Sequence, residues 1–99
     1  MAGDSSPATV SVCAGPGGSI YSQPLSGSCI NLQVTGVSGY DLGDLGYDWY
    51  QGNSGDTSHL VTSGTSYLTD CTTVQKTYWV RIWLPDRSCY TNSNAITVH

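Results

Sequence analysis

Apolar residues alternate with polar ones in short runs along this chain, and Gly, Ser, Asn and Asp cluster between the runs. Strict alternation is the mark of half-buried β-strands, and no window of useful length shows the 3.6-residue apolar spacing of a helix. The runs predict strands at 9–13, 29–35, 46–51, 59–62, 66–69, 77–84 and 95–99. About seven short strands separated by turn signals predict an all-β chain of two packed antiparallel sheets. Residues 1–8 are polar and read as a flexible leader, so the domain is expected to span residues 9–99. Ninety-nine residues leave no room for a second hydrophobic core.

Side chains two apart on a strand share a face, so the runs also predict what is inside. Ile30, Leu32 and Val34 point one way, and Asn31 and Gln33 the other. Tyr47 goes with Trp49, leaving Asp48 and Tyr50 opposite. Tyr78, Val80, Ile82 and Leu84 alternate with Trp79, Arg81 and Trp83, and Ile96 and Val98 alternate with Ala95, Thr97 and His99. The inward sets are consistent with one shared core.

Composition narrows the class of function. Net charge is −4, and Lys76, Arg81 and Arg87 are the only Lys and Arg residues. Three cations give no phosphate-binding footprint, so neither nucleic acid nor an anionic membrane surface is an expected partner. No stretch approaches the length of an apolar membrane span, so no membrane insertion is expected. Seven Tyr and three Trp supply ample apolar area despite the absence of Phe. Cys13, Cys29, Cys71 and Cys89 are widely spaced, without the close pairs of a zinc site. An even count at long spacing in a small Gly- and Ser-rich chain reads as two disulfides, and hence as an oxidising, extracellular or cell-surface setting. The chain begins Met1-Ala2-Gly3-Asp4 with no apolar signal-peptide core, as expected of a chain whose export signal is already removed.

Three blocks carry a resemblance: Tyr47-Asp-Trp-Tyr-Gln-Gly-Asn-Ser-Gly-Asp-Thr-Ser58, Thr77-Tyr-Trp-Val-Arg-Ile82 and Ser93-Asn-Ala-Ile-Thr-Val98. Together, over about residues 28–99, the chain resembles the immunoglobulin-like repeats of large secreted or surface proteins of environmental bacteria. The resemblance implies an immunoglobulin-like two-sheet antiparallel sandwich and no single biochemical activity. Mapped onto it, Trp49 is the buried tryptophan and Tyr78 occupies the place of a tyrosine corner. The positions of the usual inter-sheet disulfide fall on Leu32 and Val80, so the cysteines must bridge elsewhere. Spacing alone leaves three connectivities open. The implied topology brings Cys29 beside Cys71 and leaves Cys13 to pair with Cys89.

Few residues read as chemistry. Gly3-Asp4-Ser5 resembles the nucleophile block of a lipase and esterase family, but the α/β pattern and downstream Asp/His pair that block requires are missing. Gly52-Asn-Ser-Gly-Asp56 misses the nucleophile elbow and suits a hairpin turn. His59 and His99 lie without a triad partner and read as surface residues. Asp41, Asp44 and Asp48 have oxygens that a calcium ion accepts, but they lack the spacing of an EF-hand loop and Asp48 falls within a strand; they read as an ordinary acidic loop, and no metal or other cofactor is assigned. No catalytic residue is assigned, and no enzyme is expected.

The outward face of the sheet built from the runs at 46–51, 77–84 and 95–99 is the most informative set. It carries Tyr50, Trp79, Arg81, Trp83 and Asp48 as tentative ligand-binding residues. Trp79 and Trp83 stand about 13 Å apart at strand rise, on the scale of spaced sugar-stacking platforms. Aromatic faces flanked by hydrogen-bonding groups suit a glycan, while the same rings suit packing against a neighbouring protein domain or self-assembly. The expected function is a non-catalytic extracellular module for adhesion or carbohydrate binding. The alternative is a structural spacer, or a subunit of an extracellular filament or tandem array.

Overall fold

A computed structural model describes residues 14–98 and shows an all-β chain of eight strands with a single short 3-10 turn. The strands are β1 (Ser19–Pro24), β2 (Ile30–Thr35), β3 (Gly46–Gln51), β4 (Leu60–Ser63), β5 (Tyr67–Asp70), β6 (Lys76–Trp83), β7 (Tyr90–Asn92) and β8 (Ile96–Val98). They form two antiparallel sheets, ordered β1-β2-β5 and β4-β3-β6-β7, with β8 also paired to β6. β7 pairs with residues 81–83 of β6 and β8 with residues 76–78, so one long strand is flanked by a broken one.

The expected strand at 9–13, the leader and His99 lie outside the described residues, as does Cys13 and with it the expected Cys13–Cys89 bridge. Of the other six runs, each falls on an observed strand, shifted by no more than about a residue at its ends. Two strands are additional. β1 carries a single inward apolar side chain, Ile20, and β7 is only three residues long with none buried.

Parity holds where it counts. Leu32, Val34, Tyr47, Trp49, Tyr78, Val80, Ile82 and Val98 are buried in one cluster with Ile20 and Leu45, drawn from both sheets. The arrangement is sandwich-like: two sheets close on one core, and their alternate side chains face out. Trp49 and Val80 are register partners across β3 and β6, and both are fully buried with Leu32. The Trp49 indole N–H donates to the Thr65 carbonyl at 2.8 Å, satisfying the ring's one polar atom at the core edge.

Cys29 and Cys71 form a disulfide, just before β2 and just after β5, which are antiparallel neighbours. Beside it, the Tyr78 hydroxyl donates to the Asp70 carboxylate at 2.7 Å. This differs from the tyrosine corner that the resemblance implies, whose hydroxyl bonds to backbone. Burial alone raises the Asp70 pKa, but hydrogen bonds from Thr72 and Tyr78 and the charge of Lys76 outweigh it and bring the carboxyl down to about 2. Burial, with the Asp70 contact, pushes the Tyr78 phenol well above its ordinary value.

Between β7 and β8 the break is organised by two polar side chains. Ser93 is buried; its Oγ accepts from the Val80 N–H and donates to the Asn94 carbonyl, both at 2.9 Å. The Asn94 carboxamide accepts from the Ile20 N–H at 2.9 Å and donates to the Ile20 carbonyl at 3.3 Å. Asn94 thus does for β1 what a neighbouring strand would do, and ties one sheet to the other.

Candidate functional site

The five residues singled out on the outer face of the five-stranded sheet do come together. Register sets Asp48 beside Arg81 and Tyr50 beside Trp79 across β3 and β6; on the other side, Trp83 faces Tyr90 and Arg81 faces Asn92. The rings of Tyr50 and Trp79 stack at 4.9 Å, and those of Trp83 and Tyr90 meet at 4.9 Å with a tilt of 59°. Arg81 lies between the two pairs, its guanidinium 4.0 Å from the Tyr90 ring centre and 5.6 and 6.0 Å from those of Trp79 and Trp83. Its Nε donates to the Asn92 side chain at 3.0 Å.

At the far end Arg87 continues the stack, 4.7 Å above Trp83 and 3.4 Å from the Asp48 carboxylate. The same carboxylate accepts from the Trp83 indole N–H at 2.9 Å. Asp48 is therefore engaged by two groups of its own chain. Among the described residues no three His, Cys, Asp or Glu side chains gather as metal ligands, so Asp41, Asp44 and Asp48 form no such cluster.

One expectation is corrected. Trp79 faces outward, as parity requires, yet it is fully buried. The β3–β4 loop, residues 52–58, folds back across it: the Trp79 indole N–H donates to the Asp56 carbonyl at 3.0 Å, and the Ser54 hydroxyl donates to the Ser93 carbonyl at 2.6 Å. A tight turn shapes the loop, with the Asp56 N–H bonded to the Asn53 carbonyl at 2.9 Å. Gly52 sits at φ 129°, which glycine alone adopts readily, and a Cβ there would stand 3.0 Å from the Asp56 carboxylate. Hydrogen bonds from the Ser58 hydroxyl and N–H hold the Asp56 carboxyl below its ordinary range. Trp79 is thus the centre of a second, satellite core and offers no face to a sugar. Tyr50, Arg81 and Trp83 are half-buried, and Tyr90 is exposed.

Two features were not anticipated. Tyr90, outside every predicted strand, is the fourth ring of the stack; its place opposite Trp83 depends on β7, which lacks an apolar pattern. A cleft of about 260 Å³ also opens between the 3-10 turn (Leu42–Asp44) and the β4–β5 turn, lined by Leu42, Leu45, Tyr47, Thr65, Ser66 and Tyr67. The Tyr47 hydroxyl there is already committed to the Leu42 carbonyl at 2.6 Å, and burial raises its pKa.

Comparison with protein-family models, with curated proteins and with solved structures finds no match to the chain.

Proposed function

We propose that this chain is a non-catalytic, immunoglobulin-like module of an extracellular protein, and that its role is structural: a spacer unit within a longer array. The observation that carries the reading is the closure of the outer face of the five-stranded sheet by the chain's own residues. Trp79 is sealed under the 52–58 loop, and Asp48, Arg81, Trp83 and Arg87 bind one another. Rings and charges satisfied in this way brace a fold; they are not held open for a partner. The strand orders, the inward Trp49 and the Cys29–Cys71 bridge support the immunoglobulin-like reading and an oxidising compartment.

Size-exclusion chromatography with light scattering on the full chain tests the role. A monomer at micromolar concentration, unchanged in mass by Trp83→Ala or Tyr90→Ala, is the expected result. A self-assembled species that these substitutions dissolve would replace the spacer by a filament subunit. Adhesion through this face keeps one specific support, the exposed Tyr90 beside half-buried Trp83. Loss of glycan binding in Trp83→Ala would favour it.

A further inference from the structure

The outer face of the other sheet is built differently. Register places Tyr21, Gln33 and Tyr67 in one row across β1, β2 and β5, and Gln23, Asn31 and Thr69 in the next. All six point away from the core, because Ile20, Leu32, Val34 and Leu68 between them point in. None of the six carries a charge. Tyr21 and Tyr67 are 42% and 51% exposed, one on each flank of Gln33, and two strand spacings put them about 10 Å apart.

The polar groups between the rings are held but not used up. The Tyr21 hydroxyl donates to the Gln33 side-chain oxygen at 2.8 Å, which fixes that carboxamide and leaves its NH₂ without a bond among the described residues. Asn31 is only 7% exposed, and its side-chain oxygen accepts from the Thr69 hydroxyl at 3.0 Å. Its NH₂ group likewise has no partner among the described residues, although a buried amide ordinarily has one. Among the described residues the Tyr67 ring makes no aromatic contact and its hydroxyl no hydrogen bond. In the other sheet, by contrast, each outward Trp packs against a tyrosine ring and its indole N–H is satisfied within the chain.

We infer that this face is a binding platform for a neutral polysaccharide, with Tyr21 and Tyr67 stacking on two rings of one extended chain and the amides of Gln33 and Asn31 hydrogen-bonding the hydroxyls between them. The chemistry selects this occupant. Exposed tyrosine faces suit the C–H faces of sugar rings, and amide donors fixed by their neighbours suit hydroxyls. A face without charge gives an anionic glycan, or the charged rim of a protein partner, nothing to pair with. The site is separate from the stacked face of the five-stranded sheet and stands whether or not the chain is a spacer.

Isothermal titration of the full chain with cellohexaose, xylohexaose and N-acetylated chitohexaose tests it, with polygalacturonate as the anionic control. At least one neutral hexasaccharide should bind, and more tightly than the control. Tyr21→Ala and Tyr67→Ala should each weaken that binding by about tenfold or more, the equivalent of about 1.4 kcal/mol. Tyr67→Phe, which keeps the stacking ring, should lose much less, and Trp83→Ala on the opposite sheet should change nothing. Because both tyrosines are exposed, the tyrosine variants should keep the parent's melting temperature, and a cooperative melting transition in Trp83→Ala checks that this control has folded too. The proposal is overturned if none of the three sugars binds, if polygalacturonate binds best, or if Trp83→Ala abolishes binding while the tyrosine variants do not. It is equally overturned if the tyrosine substitutions only dissolve a self-associated species, since the face would then be a protein interface.

Discussion

Trp49 and Trp79 stand on adjacent strands, both fully buried, yet for different reasons. Trp49 points between the sheets and is covered by side chains of both, so its burial follows from the alternation of β3 itself. Trp79 points away from the core, where alternation alone leaves a side chain wet, and is covered by Tyr50 and by the backbone of the 52–58 loop. The lesson is about what period two encodes. It assigns a side chain to a face, and it is silent on whether a loop from elsewhere in the chain closes over that face.

Removing the two rings measures the difference. Trp49→Ala opens a cavity between two sheets that the Asn94 carboxamide ties together, and it should cost about 3–5 kcal/mol in chemical denaturation. Trp79→Ala should cost somewhat less, about 2–4 kcal/mol, because a surface loop can settle into part of the space that two sheets cannot. The loop should also lose protection: amide exchange at Asp56 and Ser58 should accelerate in Trp79→Ala and stay unchanged in Trp49→Ala variants that remain folded. A Trp79→Ala variant no less stable than its parent would mean that the loop does not cover the ring in solution.

Legibility from sequence followed the same division. The inward sets of β2, β3, β6 and β8 could be read because side chains two apart along each strand form an apolar set that shares one face. β1 and β7 could not, because polar pairing holds them in place. The Asn94 carboxamide bonds both backbone groups of Ile20, and the Thr91 hydroxyl accepts from the Gly17 N–H at 3.0 Å. Such contacts join residues 74 positions apart and leave no periodic trace. The same holds for the candidate site: Tyr50, Trp79, Arg81, Trp83 and Asp48 were placed on one face by parity, whereas the cover over Trp79 and the arrival of Tyr90 and Arg87 depend on loop paths.

Acid should probe the inter-sheet core from its polar edge. The Asp70 carboxyl titrates at about 2 in the fold against an ordinary value of 3.8. A carboxyl lowered on folding stabilises the folded state fully above its unfolded value and loses that contribution as the pH falls through the folded one. Between about pH 4 and pH 2 the chain should therefore lose about 2 kcal/mol from this group. Tyr78→Phe removes one of the hydrogen bonds that hold the carboxylate ionised, so it should flatten the decline in stability over this interval. A decline as steep in Tyr78→Phe as in the parent would assign the acid sensitivity to another group.

The smallest expected effect sharpens the comparison most, because it weighs backbone strain against the stack directly. Arg87 has φ 60°, in the left-handed region, and is the only non-glycine residue there among the described residues. A residue with a Cβ is disfavoured in that conformation by about 1–2 kcal/mol, which glycine would avoid. Against this stand its position over Trp83 and its ion pair with Asp48, made by a side chain that is 55% exposed. An exposed cation–π contact contributes about 0.5–1 kcal/mol and an exposed ion pair about 0–1 kcal/mol, so gain and loss nearly cancel. Arg87→Gly should leave stability within about 0.5 kcal/mol of the parent, whereas Arg87→Ala keeps the strain, loses both contacts and should destabilise by about 1 kcal/mol. Repeating both substitutions in Trp83→Ala separates the terms. The difference between Gly and Ala should persist there, because it belongs to the backbone, while the cost of Arg87→Ala should shrink once the ring under the guanidinium is gone. If Arg87→Ala costs as much without Trp83 as with it, the guanidinium gains nothing from the ring, and the stack ends at Trp83.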